Sequence, residues 1–175
     1  NDLDAMSVYK GEYSKAIDRL EDAIDIRKRR EEITELGKIY NNLGLVYRKK
    51  GQLSRALDYL DKSLEIREER NDKYHMATTL TNMGLVYTNQ GKLDQALETH
   101  EESLEIWTEI GSTDGRAGAI NNIGDVYRKK GLLDKALNKY LKCLDLWKET
   151  DNKYGISITV NNLGMIYNAK GKFDK

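Results

Sequence analysis

Cut after every fortieth residue and stacked, the chain repeats itself without a slip in register. Asn41-Asn42-Leu43-Gly44-Leu45-Val46-Tyr47 returns as Thr81-Asn82-Met83-Gly84-Leu85-Val86-Tyr87, as Asn121-Asn122-Ile123-Gly124-Asp125-Val126-Tyr127, and as Asn161-Asn162-Leu163-Gly164-Met165-Ile166-Tyr167. A glycine follows each tyrosine at Gly51, Gly91, Gly131 and Gly171, and then an alanine at Ala56, Ala96 and Ala136. Repeats of this length are supersecondary units that cannot bury their apolar faces alone and stack on their neighbours. The chain is therefore expected to be one array over 1–175, with repeats 1–40, 41–80, 81–120 and 121–160 and the first helix of a fifth at 161–175. The first block keeps Gly11 and Ala16 but has Asp4 and Ser7 in the glycine and tyrosine slots, which marks it as a degenerate end repeat. The array opens at Asn1 and breaks off in mid-pattern at Lys175, as a segment of a longer protein would.

Within each block apolar residues fall three and four apart, the spacing of one helix face. Leu36, Ile39, Tyr40, Leu43, Val46 and Tyr47 trace one helix, and Leu53, Ala56, Leu57, Leu60 and Leu64 the next. The absence of proline fits long helices. Gly51 and its equivalents can end the first helix in the left-handed conformation, and Ser54, Asp94 or Asp134 can cap the second. Return connections are expected around Asn71-Asp72-Lys73, Gly111-Ser112-Thr113 and Asp151-Asn152-Lys153, where polar turn formers gather. The predicted fold is all-α, a right-handed superhelical solenoid of antiparallel helix pairs.

The motif Tyr40-x2-Leu43-Gly44-x2-Tyr47 followed by Ala56-x3-Leu60 resembles the tetratricopeptide pattern, and the resemblance covers the whole chain. It implies that Gly44, Gly84 and Gly124 let paired helices approach while the tyrosines and alanines fill the groove. The period is longer than the family's usual one, and Glu68, Thr108 and Lys148 stand where a proline normally ends the second helix. This longer variety is similar to the arrays of kinesin light chains, Pins-like spindle-orientation scaffolds and Rap-type peptide-pheromone receptors. The resemblance implies a concave surface that binds an extended peptide or a helix.

Spacing places a polar stripe on the concave side of the first helices. In the second repeat it holds Lys38, Asn41, Asn42, Leu45, Arg48 and Lys49, and in the third Thr78, Thr81, Asn82, Leu85, Thr88 and Asn89. It continues through Asn121, Asn122, Asp125, Arg128 and Lys129 to Ile158, Asn161, Asn162, Met165 and Asn168. Asparagine carries a donor and an acceptor, so the ladder Asn42, Asn82, Asn122, Asn162 can bond the backbone of an extended peptide of any sequence. The same side chains can equally bond between adjacent first helices and hold the array in register. Arg48-Lys49-Lys50 and Arg128-Lys129-Lys130 flank the neutral Thr88-Asn89-Gln90. They favour an acidic partner or a terminal carboxylate, although basic residues in the last turn also complement the helix dipole, and Asp125 sits one turn before Arg128.

Other residues argue against chemistry. His75 and His100 have no cysteine or second histidine at ligand spacing, so no zinc site is expected. Cys143 shares its slot with Ala23, Ser63 and Ser103, which points to a buried, inert thiol. Trp107 and Trp147, in the slot of Arg27 and Arg67, are expected to pack on the next repeat's first helix. With no glycine-rich phosphate loop and no nucleophile beside a base, neither enzymatic activity nor a cofactor is expected. Lys plus Arg and Asp plus Glu balance at 29 each, which gives no field to draw the chain to nucleic acid or an anionic membrane. One cysteine and short apolar runs suggest an intracellular, cytoplasmic setting. The leading functional reading is a protein- or peptide-binding scaffold. Its rivals are a sensor segment of a larger signalling protein and self-association through the open ends of the solenoid.

Overall fold

The computed structural model describes residues 2–29 and 33–171, and among them every regular element is a helix. These are α1 (Asp2–Arg29), α2 (Ile33–Lys49), α3 (Leu53–Glu69), α4 (Lys73–Gln90), α5 (Leu93–Glu109), α6 (Thr113–Lys129), α7 (Leu133–Glu149) and α8 (Lys153–Ala169). The chain forms two compact units, Asn1–Val86 and Tyr87–Lys175. Helix α1 departs from the expected pair of helices, since it runs without a break through Gly11. A lone glycine costs a helix only about 1 kcal/mol and does not end one by itself. Of the fifth repeat's expected stretch, 172–175 lie outside the described residues.

In the first unit α2 packs on α1 and α3. The close approach of α2 and α3 depends on Gly44, since a Cβ built there would lie 2.5 Å from Leu60 Cγ. In the second unit α6 packs on α5 and α7, and α7 on α8. Gly124 has the same duty there, with Tyr140 Cε1 2.7 Å from the position of its missing Cβ. Ala136 and Tyr140, both fully buried, meet Leu163 and Ile166 in one core cluster, and Ala117 and Ile120 meet Cys143 in another.

The turns follow the sequence in one respect and not in another. Gly51, Gly91, Gly131 and Gly171 all have positive φ, and Gln52 N–H bonds back to Tyr47 O at 2.9 Å, closing the helix end as a left-handed terminator does. Ser54, Asp94 and Asp134, however, are not caps. The cap positions are Gln52, Lys92 and Leu132, with no side-chain cap bond. The turn after each glycine is so short that the helix starts before these residues are reached. Two of them are used between helices instead: Lys130 donates to Asp94 and Lys170 to Asp134. Side-chain caps occur at the return connections, where Ser112 Oγ accepts from Gly115 N at 3.2 Å and Asn152 Oδ1 from Gly155 N at 2.9 Å.

Candidate functional site

The predicted stripe lies on α2, α4, α6 and α8. Lys38, Asn42, Lys49, Asn89, Lys129, Asn161 and Met165 are exposed, while Asn41, Leu45, Arg48, Thr81, Asn82, Leu85, Asn121, Asn122, Asp125 and Arg128 are half-buried. Thr88 and Asn162 are buried, at 8% and 6% exposure.

The asparagines bond between neighbouring first helices. Asn82 Nδ2 donates to Asn41 Oδ1 at 2.9 Å in the first unit, and Asn162 Nδ2 to Asn121 Oδ1 at 3.0 Å in the second. Of the ladder Asn42, Asn82, Asn122 and Asn162, two members thus bond to the preceding first helix, and their partners are Asn41 and Asn121, one position before the ladder residues Asn42 and Asn122. Each bond uses one donor and one acceptor, so each amide keeps a second polar group. The spare Asn121 Nδ2 points to Asp125 Oδ2 at 3.4 Å, whereas Leu45 stands in that slot beside Asn41 and offers no acceptor.

The basic runs are partly committed. Arg128 Nη2 donates to Asp125 Oδ1 at 3.3 Å, the neutralisation that the sequence suggested. Tyr140 Oη donates to the same oxygen at 2.8 Å. Burial, and then the neighbouring Asp125 carboxylate, push the Tyr140 hydroxyl well above the ordinary tyrosine range. The Nε atoms of Arg48 and Arg128 are buried without a partner.

Below this face lies a group of residues that the sequence reading passed over. The slot of Trp107 and Trp147 holds Arg67 in α3, only 1% exposed. The tryptophans pack on glycine: a Cβ on Gly115 would lie 2.3 Å from Trp107 Cδ2, and one on Gly155 2.4 Å from Trp147 Cδ2. Where the slot holds arginine, the residue matching those glycines is His75 and the matching cap residue is Asp72. Arg67 Nη1 donates to Asp72 Oδ2 at 3.2 Å, and His75 Nδ1 lies 2.9 Å from both Asp72 oxygens. Burial works against the Asp72 charge. The hydrogen bonds from His75 and the charge of Arg67 outweigh it and hold the carboxyl below its usual value. Arg67 lies against Gly37, where a Cβ would be 2.9 Å from its Cζ. The repeat-to-repeat exchange of tryptophan for arginine, glycine for histidine and a neutral cap for aspartate was the signal that could have found this group. Together with Lys38, Asn41, Asn42, Ser63, Thr78 and Thr79, Arg67 and His75 line a cleft of about 210 Å³.

Ser63 and Cys143 hold equivalent places. Ser63 Oγ donates to Gly37 O at 2.8 Å and Cys143 Sγ to Ala117 O at 3.2 Å, and each lies 3.4 Å from a threonine hydroxyl, Thr79 or Thr159. Cys143 is fully buried and burial raises its thiol pKa, which suits packing and not nucleophilic attack.

The family model of the tetratricopeptide repeat matches residues 35–109, 75–120 and 115–175. The chain belongs to the tetratricopeptide repeat family. No curated protein sequence matches it. Among solved tetratricopeptide-like structures, a Rap protein complexed with competence and sporulation factor is 19% identical, with a TM-score of 0.82. It matches 97% of this chain and 48% of its own. A putative kinesin light chain from Podosopora anserina is 17% identical with a TM-score of 0.73, over 98% of this chain and 85% of its own. A signal transduction ATPase from Pyrococcus horikoshii that carries a tetratricopeptide repeat sensor is 24% identical with a TM-score of 0.78, over 96% of this chain and 26% of its own. At these identities the likeness establishes the fold, an all-α helical repeat solenoid.

Proposed function

We propose that this repeat array is a scaffold that binds a protein or peptide along the face built by its first helices. The observation that carries the reading is the repeated asparagine bridge, Asn82 to Asn41 and Asn162 to Asn121. It fixes first helices side by side while leaving each amide a second polar group, next to the exposed Asn42 and Asn161. Amide groups at fixed spacing can bond the main chain of an extended ligand, and residues that differ between repeats select its side chains. The proposed contact set is Asn41, Asn42, Leu45, Arg48 and Lys49 on α2, Thr81, Asn82, Leu85 and Asn89 on α4, Asn121, Asn122, Asp125, Arg128 and Lys129 on α6, and Asn161, Asn162 and Met165 on α8. The Rap protein complexed with competence and sporulation factor supports the same use of a tetratricopeptide array. A second reading, a sensor segment within a larger signalling protein, is supported by the Pyrococcus horikoshii ATPase and is compatible with the same face.

The test is a random-peptide display selection on the immobilised chain, followed by titration of the selected peptides against two variants. Asn42→Ala with Asn122→Ala alters the proposed face, and Glu65→Ala with Asp145→Ala alters exposed positions on the second helices. Loss of roughly tenfold or more in affinity with the first variant alone supports the reading. Equal binding by the first variant and loss with the second would place the ligand elsewhere.

A further inference from the structure

Lysine plus arginine and aspartate plus glutamate balance over the whole chain at 29 each, yet the second helices of the second unit hold the two signs apart. Helix α5 carries Asp94, Glu98, Glu101, Glu102, Glu105 and Glu109 and no lysine or arginine. Asp94 is bonded by Lys130. Glu98, Glu101 and Glu105, all exposed, recur at helical spacing and form one stripe of about two turns. On α7 the stripe of the same length is basic, built from the exposed Lys135 and Lys142 and the half-buried Lys139. Asp134 at the head of that stripe is bonded by Lys170, and Asp145 just beyond it is followed by Lys148. The lysines border a notch of about 310 Å³ lined by Tyr127, Asp134, Lys135, Asn138 and Lys139. The Lys135 ammonium lies over the Tyr127 ring, 5.5 Å from its centre. Two leucines flank the stripe, Leu132 at 40% and Leu141 at 43% exposure, in slots that hold Gln52 and Lys92, and Asp61 and Glu101, in the other repeats. They give a contact apolar area to bury, which exposed ion pairs alone do not supply.

We infer that the outer face of α7 docks α5 of a second copy of this chain, and that the copies pair reciprocally, α5 of each on α7 of the other. The occupant follows from charge. Helix α3 mixes Asp58, Asp61 and Glu65 with Arg55 and Lys62, whereas α5 offers an acidic stripe with no basic residue to oppose the lysines. The two stripes span the same number of turns, so three carboxylates meet three ammonium groups whichever way the helices run. A reciprocal contact is closed by a two-fold axis and stops at a dimer. Exposed ion pairs are individually weak and screened by salt, so the dimer is salt-sensitive. The contact uses second helices only and leaves the stripe on α6 and α8 to a ligand, so it stands apart from the proposed binding face.

The experiment is sedimentation velocity of the whole chain over a concentration series, in about 0.05 M and about 0.5 M salt. The native chain is expected to form dimers whose dissociation constant rises at least roughly tenfold in the higher salt. Two variants, Lys135→Glu with Lys142→Glu and Glu98→Lys with Glu105→Lys, each set like charge against like. Each should keep its helical content and be monomeric where the native chain is dimeric. Mixed one to one, the variants rebuild one contact with its native signs and the other with the signs reversed, and dimers should return. Misfolding of either variant cannot produce that recovery. A native chain that stays monomeric at about 1 mM, a dimer that neither salt nor the variants weaken, or variants that stay monomeric on mixing would overturn the inference. Binding of a native monomer to anionic phospholipid vesicles, lost in the Lys135→Glu, Lys142→Glu variant, would overturn it in favour of a membrane surface.

Discussion

The stretch α2 to α4 and the stretch α6 to α8 are two versions of one structural sentence. Each has an asparagine bridge between first helices, a small residue on the second helix bonded to a carbonyl of the preceding first helix, and a threonine hydroxyl beside it. They part most plainly where Arg67 stands in the place of Trp147. Trp147 seals the second version by lying on Gly155, while Arg67 leaves the first version charged and open, with Asp72 and His75 at its side. Matching repeat positions thus carry unequal chemistry: the shared residues make the same contacts between helices, and the exchanged ones decide whether the space between them is packed or available.

The largest effect is expected from a third slot, where Leu60 and Tyr140 of the two versions correspond to His100. His100 is fully buried, both its ring nitrogens lack partners, and burial lowers its pKa to about 4. Its ordinary value is 6.5, so between these limits the unfolded chain binds a proton that the folded chain refuses. Stability is therefore full above pH 6.5 and falls as the pH drops toward 4, by about 3 kcal/mol over that window. Urea unfolding from pH 7 to pH 4 should show this loss, and His100→Leu should shrink it. A variant as acid-sensitive as the native chain would clear His100 of the role.

Gly155→Ala breaks the comparison from the packed side. Its Cβ would meet the Trp147 ring at 2.4 Å, and overpacking outweighs the gain in helix propensity, for a net loss of about 2 kcal/mol in chemical denaturation. The matching change His75→Ala in the open version meets no tryptophan, and its loss should stay below about 1 kcal/mol. Equal losses at the two positions would erase the distinction drawn here. Asn162→Ala and Asn82→Ala each remove one bridge and should cost about 1 kcal/mol by the same measurement. The larger loss is expected at Asn162, which is the more buried. The smallest effect belongs to Asp134→Asn, which weakens the bond to Lys170 at a side chain that is 87% exposed. Stability should change by less than about 0.5 kcal/mol, and a larger shift would show that this contact holds α7 to α8.

Much of the fold was legible because the repeat is written in residue types with one structural use each. Gly44 and Gly124 lie where a Cβ would strike Leu60 and Tyr140 of the paired second helix, Ala56, Ala96 and Ala136 are fully buried, and Gly51 and its equivalents turn the chain with positive φ. The caps were misplaced by two residues because a helix start depends on the length of the preceding turn, which residue preference alone does not specify. Gly11 was overread for a related reason: glycine permits a turn, and only the neighbouring packing decides whether one is made.

The row of asparagine positions was legible, and the choice between its two stated bonding modes was not. Helical periodicity places Asn41, Asn82, Asn121 and Asn162 on one side of their helices, but whether an amide meets another amide or solvent depends on the distance between helices that lie forty residues apart in sequence. Arg67, Asp72 and His75 were not read as a group because each, taken alone, is an ordinary charged or polar residue near a helix end, and only their joint exchange against Trp147, Asn152 and Gly155 marks them. The sequence by itself determined the repeat, the helix pairs and the small residues at their contacts, since these follow from spacing and side-chain size. Only the tertiary structure decided that Arg67 is buried, that Gly37 makes room for it and that a cleft remains above it, because burial and cavity shape depend on side chains from three helices meeting at one point.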